Sequence, residues 1–169
     1  MKTLVATIIG PDKAGLVKQL ATLIKQHHGS WQASAMSELA GYFAGIIEIS
    51  VPQEHSQALS DALQQLPDFQ IQLLDAKQSA QAGQKLALTV TANDRIGIID
   101  EVTEVLNQLN ISVNTLKTDS YSAPTTGTML FEAKSVLTLP HDQTLHNLKE
   151  KLEALSDDLV VDIDLIATL

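Results

Sequence analysis

Two short stretches of the chain, GPDKAG at 10–15 and ANDRIG at 92–97, each bring an acid, a base and a closing glycine together in the same order. Both lie between an apolar run and an amphipathic one: TLVATII and LVKQLATLIKQ flank the first, LALTVT and IIDEVTEVLNQ the second. A turn so placed joins the end of a strand to the start of a helix. Glycine at its last position, Gly15 or Gly97, leaves the first amides of that helix open to a ligand, and helix N-termini favour anions. A free amino acid suits this chemistry at both ends. Its carboxylate would meet the amides, its ammonium the carboxylate of Asp12 or Asp94, and Lys13 or Arg95 would add positive charge. The candidate ligand-binding residues are therefore Asp12, Lys13, Ala14 and Gly15 in the first stretch, and Asn93, Asp94, Arg95, Ile96 and Gly97 in the second. A purely structural role competes with this one, since an aspartate ahead of a helix can cap its free N–H groups.

The elements that must position these turns also occur twice. A shift of 82 residues carries Leu4, Ala6 and Ile8 onto Leu86, Leu88 and Val90, the period-two pattern of a strand buried on one face. The same shift carries Leu16, Val17, Leu20, Leu23 and Ile24 onto Ile98, Ile99, Val102, Val105 and Leu106, the apolar stripe of a helix. Downstream in the first copy, SWQASAMSEL and YFAGIIEISV flank Ala40 and Gly41 as a tight hairpin. A helix over 53–66 with Leu59, Ala62, Leu63 and Leu66 on one face follows, then the strand FQIQLLD. The second copy runs through ISVNTLKTDSY, the longer loop SAPTTG and TMLFEAKSVL to a helix striped by Leu145, Leu148, Leu152 and Leu155, and ends in LVVDIDLIA. The order βαββαβ, met twice, predicts two α+β, ferredoxin-like domains at 1–75 and 85–169, each a four-stranded antiparallel sheet with both helices on one face. The stretch 76–84, AKQSAQAGQ, has no apolar period and suits a flexible linker. One face of each sheet would stay open to water, to the other copy or to another chain, and a homo-oligomer is expected.

Charge narrows the partners. The net charge of −9 divides into −2 for residues 1–84 and −7 for 85–169, and the chain has one arginine, Arg95, and no basic run. Such a surface repels phosphate backbones, so direct binding of nucleic acid is not expected. Cysteine is absent, which excludes disulfides and thiolate chemistry, and the apolar N-terminal run stops at Pro11, too short for a signal or membrane segment. The expectation is a cytoplasmic protein without membrane contact. The histidines, His27, His28, His55, His141 and His146, have no metal-ligand spacing, and no P-loop, nucleophile elbow or dinucleotide fingerprint appears, so neither metal, cofactor nor enzymatic activity is expected. One enzymatic form remains open, because the same fold hosts phosphate-handling hydrolases with an arginine in the first turn, which Arg95 with Asn93 superficially fits. Trp31 reads either as core filling or as part of a pocket, and SAPTTG as a hairpin loop available for protein contacts.

The turns DKAG at 12–15 and DRIG at 94–97 resemble the D-R-P-G turn of the ACT domain family, small amino-acid-binding regulatory modules, with proline replaced in both copies. The stretches GSWQASAMSELAGYFAGI, NDRIGIIDEVTEVL, SAPTTGTMLFEA and LPHDQTLHNLKEKLEALSDDLVVDIDL are similar to tandem-ACT proteins related to the glycine cleavage system transcriptional repressor, so the resemblance runs almost the whole chain. It implies two ACT domains in tandem that sense a small amino acid, with glycine the first candidate. Output would pass through a partner, a DNA-bound transcriptional activator, with no catalytic or DNA-binding domain in the chain. A ligand-free dimerisation scaffold would show much the same turns.

Overall fold

Alternating apolar residues ahead of the first turn form β1 (Lys2–Pro11), which buries Leu4, Ala6 and Ile8 on one face. The stripe after the turn forms α1 (Leu16–Gln26), with Leu16, Leu20 and Ile24 one above another at i, i+4 and i+8. β2 (Ser30–Leu39) and β3 (Tyr42–Val51) meet through Ala40 and Gly41, both at positive φ, as a two-residue hairpin turn requires. The helix expected over 53–66 is shorter than its pattern: Pro52 precedes a 3-10 turn, Gln53–His55, and α2 (Ser56–Gln64) begins only where the Ser56 hydroxyl has donated to the Gln53 carbonyl at 2.9 Å. β4 (Gln70–Asp75) closes the set. The computed structural model describes residues 1–76 and 83–166, and the chain divides into two units, Met1–Ser79 and Ala80–Leu169.

The second unit repeats the order with β5 (Gln84–Asn93), α3 (Ile98–Gln108), β6 (Ser112–Ser122), β7 (Met129–Leu139), α4 (Leu145–Glu153) and β8 (Val160–Leu165). Of the expected linker at 76–84, residues 77–82 lie outside the described residues, and Gln84 is already the first residue of β5. Strand order is β2-β3-β1-β4 in one sheet and β6-β7-β5-β8 in the other, antiparallel throughout. Each is the expected βαββαβ sandwich. Even the irregularities repeat: the bulge between Trp31 and Ala33 recurs between Val113 and Thr115.

In each unit the core lies between the two helices and one sheet face. In the first it gathers Leu4, Ala6, Ile8, Leu20, Ile24, Ile47, Ile49, Leu59 and Leu63, with Trp31 packed against it, so Trp31 serves as core filling. The opposite faces differ. Ile9, Ile46 and Leu74 are exposed in the first unit, where the register of the second puts Thr91, Lys134 and Asp164. Among the described residues no helix is long and apolar enough to cross a membrane.

Gly15 and Gly97 immediately precede α1 and α3 at φ 94° and 95°, left-handed positions that L side chains adopt at a cost. A Cβ would find open space at Gly15 and only Glu101 Oε1, at 3.8 Å, near Gly97, so conformation and not crowding requires glycine there. Replacing Gly15 or Gly97 with Ala should therefore cost about 1–2 kcal/mol at each site. A fall in the urea midpoint with unchanged slope checks this, and an unchanged midpoint contradicts it.

Candidate functional site

The sheet order places the first turn at one end of a central strand. β1 lies between β3 and β4, so the residues after its last pairing meet the β2–β3 hairpin on one side and the loop before β4 on the other. The Asp12 N–H donates to the Gly41 carbonyl at 2.9 Å, and the Lys13 ammonium donates to Asp68 Oδ1 at 2.5 Å. Gly10 packs so tightly on that loop that a Cβ there would collide with the Asp68 carbonyl oxygen. A depression of about 310 Å³ opens beside the turn, lined by Asp12, Lys13, Gly15, Leu16, Val17, Lys18 and Phe43.

Of the residues named from the sequence, Asp12, Lys13 and Gly15 thus meet at one surface depression; Ala14 is exposed and does not line it. The capping role considered for the aspartates is overturned. Gly15 and Gly97 occupy the N-cap positions with no side-chain cap, because Asp12 and Asp94 stand three residues too early for their carboxylates to take the helix amides. Their backbone N–H groups serve the sheet instead, Asp94 donating to the Met129 carbonyl at 2.9 Å. Val17, expected on the buried stripe of α1, is exposed and faces the depression.

In the second turn Arg95 forms a two-pronged pair with Glu101 of α3, at 2.7 and 2.5 Å, and Ile96 is fully exposed. Asn93 donates its backbone N–H to Asp158 Oδ2 at 3.0 Å, and Asp94 and Gly97 complete an exposed turn. Both guanidinium prongs are therefore occupied by a carboxylate, which disfavours the phosphate-handling reading of Arg95 with Asn93. Hydrogen bonds from Arg95 hold the Glu101 carboxyl below the usual carboxylate range, and Glu101 in turn raises Arg95. The Ser156 hydroxyl, and after it the Asn93 N–H, hold Asp158 below that range as well.

The sequence reading missed Val17, Lys18 and Phe43 as lining residues, and Asp68, Asp158 and Glu101 as partners of the turns. Asp68 and Asp158 each stand two residues before the last strand, ahead of the buried Phe69 or Leu159. They correspond at a shift of 90, not 82, because the hairpin loop of two residues at 40–41 becomes one of six at 123–128, β6 and β7 are each one residue longer than β2 and β3, and the connections after β7 add two more. That longer loop is closed by Ala123 N–H to the Thr128 carbonyl at 2.8 Å and Gly127 N–H to the Ala123 carbonyl at 2.9 Å.

Residues 2–80 match the family model of the ACT domain. That likeness spans the first unit. The second has the same element order, strand order, bulge and left-handed glycine, so the chain is two ACT folds in tandem. Two solved structures share the whole arrangement of elements. An unknown protein from Galdieria sulphuraria is similar at 25% identity and a TM-score of 0.86, over 98% of this chain and 99% of that one. A candidate glycine cleavage system transcriptional repressor is similar at 18% identity and a TM-score of 0.70, over 99% of this chain and 98% of that one. The second likeness is one of fold. Among curated protein sequences none matches.

A carboxylate held below its ordinary pKa stabilises the folded state above the unfolded pKa, and that contribution disappears as pH falls through the folded value. The ACT fold of the second unit should accordingly lose the Glu101 and Asp158 contributions as pH drops below the ordinary carboxylate range. Carboxyl-carbon NMR titration should find both groups protonating at lower pH than unstructured Glu and Asp. Arg95→Gln should move Glu101 upward and leave Asp158 nearly where it was; a Glu101 curve indifferent to Arg95 would contradict the pairing.

Proposed function

We propose that this tandem ACT protein is a sensor of a small amino acid that regulates through contact with another protein, and neither catalyses a reaction nor binds DNA on its own. The observation that carries this reading is the first-turn depression, where an acid, two lysines, an aromatic ring and an uncapped helix start adjoin one another. The amino acid's carboxylate engages the start of α1 with Lys13 and Lys18, and its ammonium engages Asp12. Asn93, Asp94, Arg95, Ile96 and Gly97 hold the matching positions of the second turn, the alternative place for the ligand. Likeness in fold to a candidate glycine cleavage repressor makes glycine the first ligand to try and a transcriptional activator the first partner.

The net charge of −9 supports output through protein, since an acidic chain with one arginine has little to offer a phosphate backbone. The exposed Ile9, Ile46 and Leu74 face and the 123–128 loop are the proposed contact surfaces for partner or second copy. A ligand alters output there only to the extent that it binds one state of the chain better than another. The proposed domain boundaries remain 1–75 and 85–169, with 76–84 between them.

A second reading, a dimerisation scaffold without ligand, is favoured by one observation: both cations of the turns already have carboxylate partners, Lys13 with Asp68 and Arg95 with Glu101. Titration calorimetry with glycine, serine and the other amino acids separates the two. Saturable heat and a raised melting temperature at millimolar ligand are expected, whereas silence with every amino acid refutes the sensor and favours the scaffold. In a mobility-shift assay at low salt the chain alone should leave glycine cleavage promoter DNA unshifted and should retard it only with the activator present. Tight, sequence-selective binding by the chain alone would refute the partner-mediated mechanism.

A further inference from the structure

The aspartate before the last strand is tied to the first turn in both units, by different chemistry. Pro11 has no N–H to offer, and Asp68 takes the Lys13 ammonium at 2.5 Å. In the second unit Asn93 stands at the position of Pro11 and supplies its backbone N–H to Asp158 at 3.0 Å, with Ser156 donating its hydroxyl to the same carboxylate. Arg95, at the position of Lys13, is drawn to Glu101, for which the first unit has Gln19. One tie is thus an ion pair between partly exposed side-chain ends, and the other is anchored on backbone.

Resting on the amino-acid reading above, we propose that the first turn is the responsive one. The ligand's carboxylate replaces Asp68 on the Lys13 ammonium, and the released loop at 65–69 passes the event to edge strand β4. The ion pair suits exchange because its side chains are 48% and 29% exposed, and half-solvated pairs are weakly held. Charge is conserved, since the ammonium trades one carboxylate for another while Asp68 turns to water. Loop and turn are mechanically continuous: the Asp68 carbonyl rests on Gly10, Phe69 is buried in the core, and Leu66 lines a second depression together with Gly15 and Lys18. Among the described residues β4 pairs only with β1, so movement of the loop reaches an edge of the sheet. The second turn has no such exchange. A ligand there would have to break a backbone hydrogen bond or displace Glu101 from a two-pronged pair, beside Asp100 in the same first helical turn.

Asp68 acts through Lys13 and is a positioning residue, so the test reads affinity in the direction that simple damage would not produce. In the full chain, Asp68→Asn removes the competitor and should tighten glycine or serine binding up to about five-fold by calorimetry. Lys13→Ala should weaken it, Lys13→Arg should retain it, and Asp158→Asn should leave it unchanged. Amide hydrogen exchange over 66–75 should quicken in ligand-free Asp68→Asn, and equally in the unaltered chain once the amino acid is added. Binding that Asp68→Asn leaves unchanged or weakens, or a bound amino acid without effect on 66–75, overturns the exchange while the sensor reading stands. If neither the unaltered chain nor any variant binds an amino acid, the sensor reading itself fails and takes the exchange with it.

Discussion

Burial of one face of a four-stranded sheet beneath two helices is the constraint on which everything else in each unit depends. It places the strand with the cleanest alternation, β1 or β5, in the centre of its sheet, where both neighbours complete its hydrogen bonding. The turn that follows is then caught between three neighbours: the hairpin on one side, the loop before the last strand on the other, and the helix it starts. Asp12 bonded to Gly41, Lys13 paired with Asp68, and the left-handed Gly15 are local expressions of that placement.

The same backbone nevertheless carries different chemistry in the two units. The glycines are interchangeable in conformation, at φ 94° and 95°, because the strand-to-helix bend is identical. The charged residues are not, because each cation takes whichever carboxylate its surroundings offer: a helical acid at 101 where the first unit has Gln19, and a loop acid at 68 where Pro11 leaves that acid without a backbone donor. The outer sheet faces diverge likewise, apolar at Ile9, Ile46 and Leu74 and polar at Thr91, Lys134 and Asp164. A fold fixes where groups stand and leaves their business to the side chains. A repeated backbone with such local differences gives two turns of one shape with separate electrostatic partners.

Much of this was legible in the sequence. Periods of 2 and 3.6 are local properties of a strand and a helix, so the βαββαβ order, the Ala40–Gly41 hairpin and, Val17 apart, the stripes of α1 and α3 could be read directly. Charge and composition, which do not depend on folding at all, set the expectation about nucleic acid. What the tertiary structure decided are relations between residues far apart in the chain. Asp68 reaches Lys13 across 55 positions and Asp158 reaches Asn93 across 65, and a repeat offset that grows from 82 to 90 hides their equivalence. Capping failed as a prediction for Asp12 and Asp94 because the chain bends at the glycine, not at the acid, a matter of dihedral angles that residue type alone does not reveal. Which carboxylate each cation meets follows from strand order and loop length together, and only the folded chain brings those to one place.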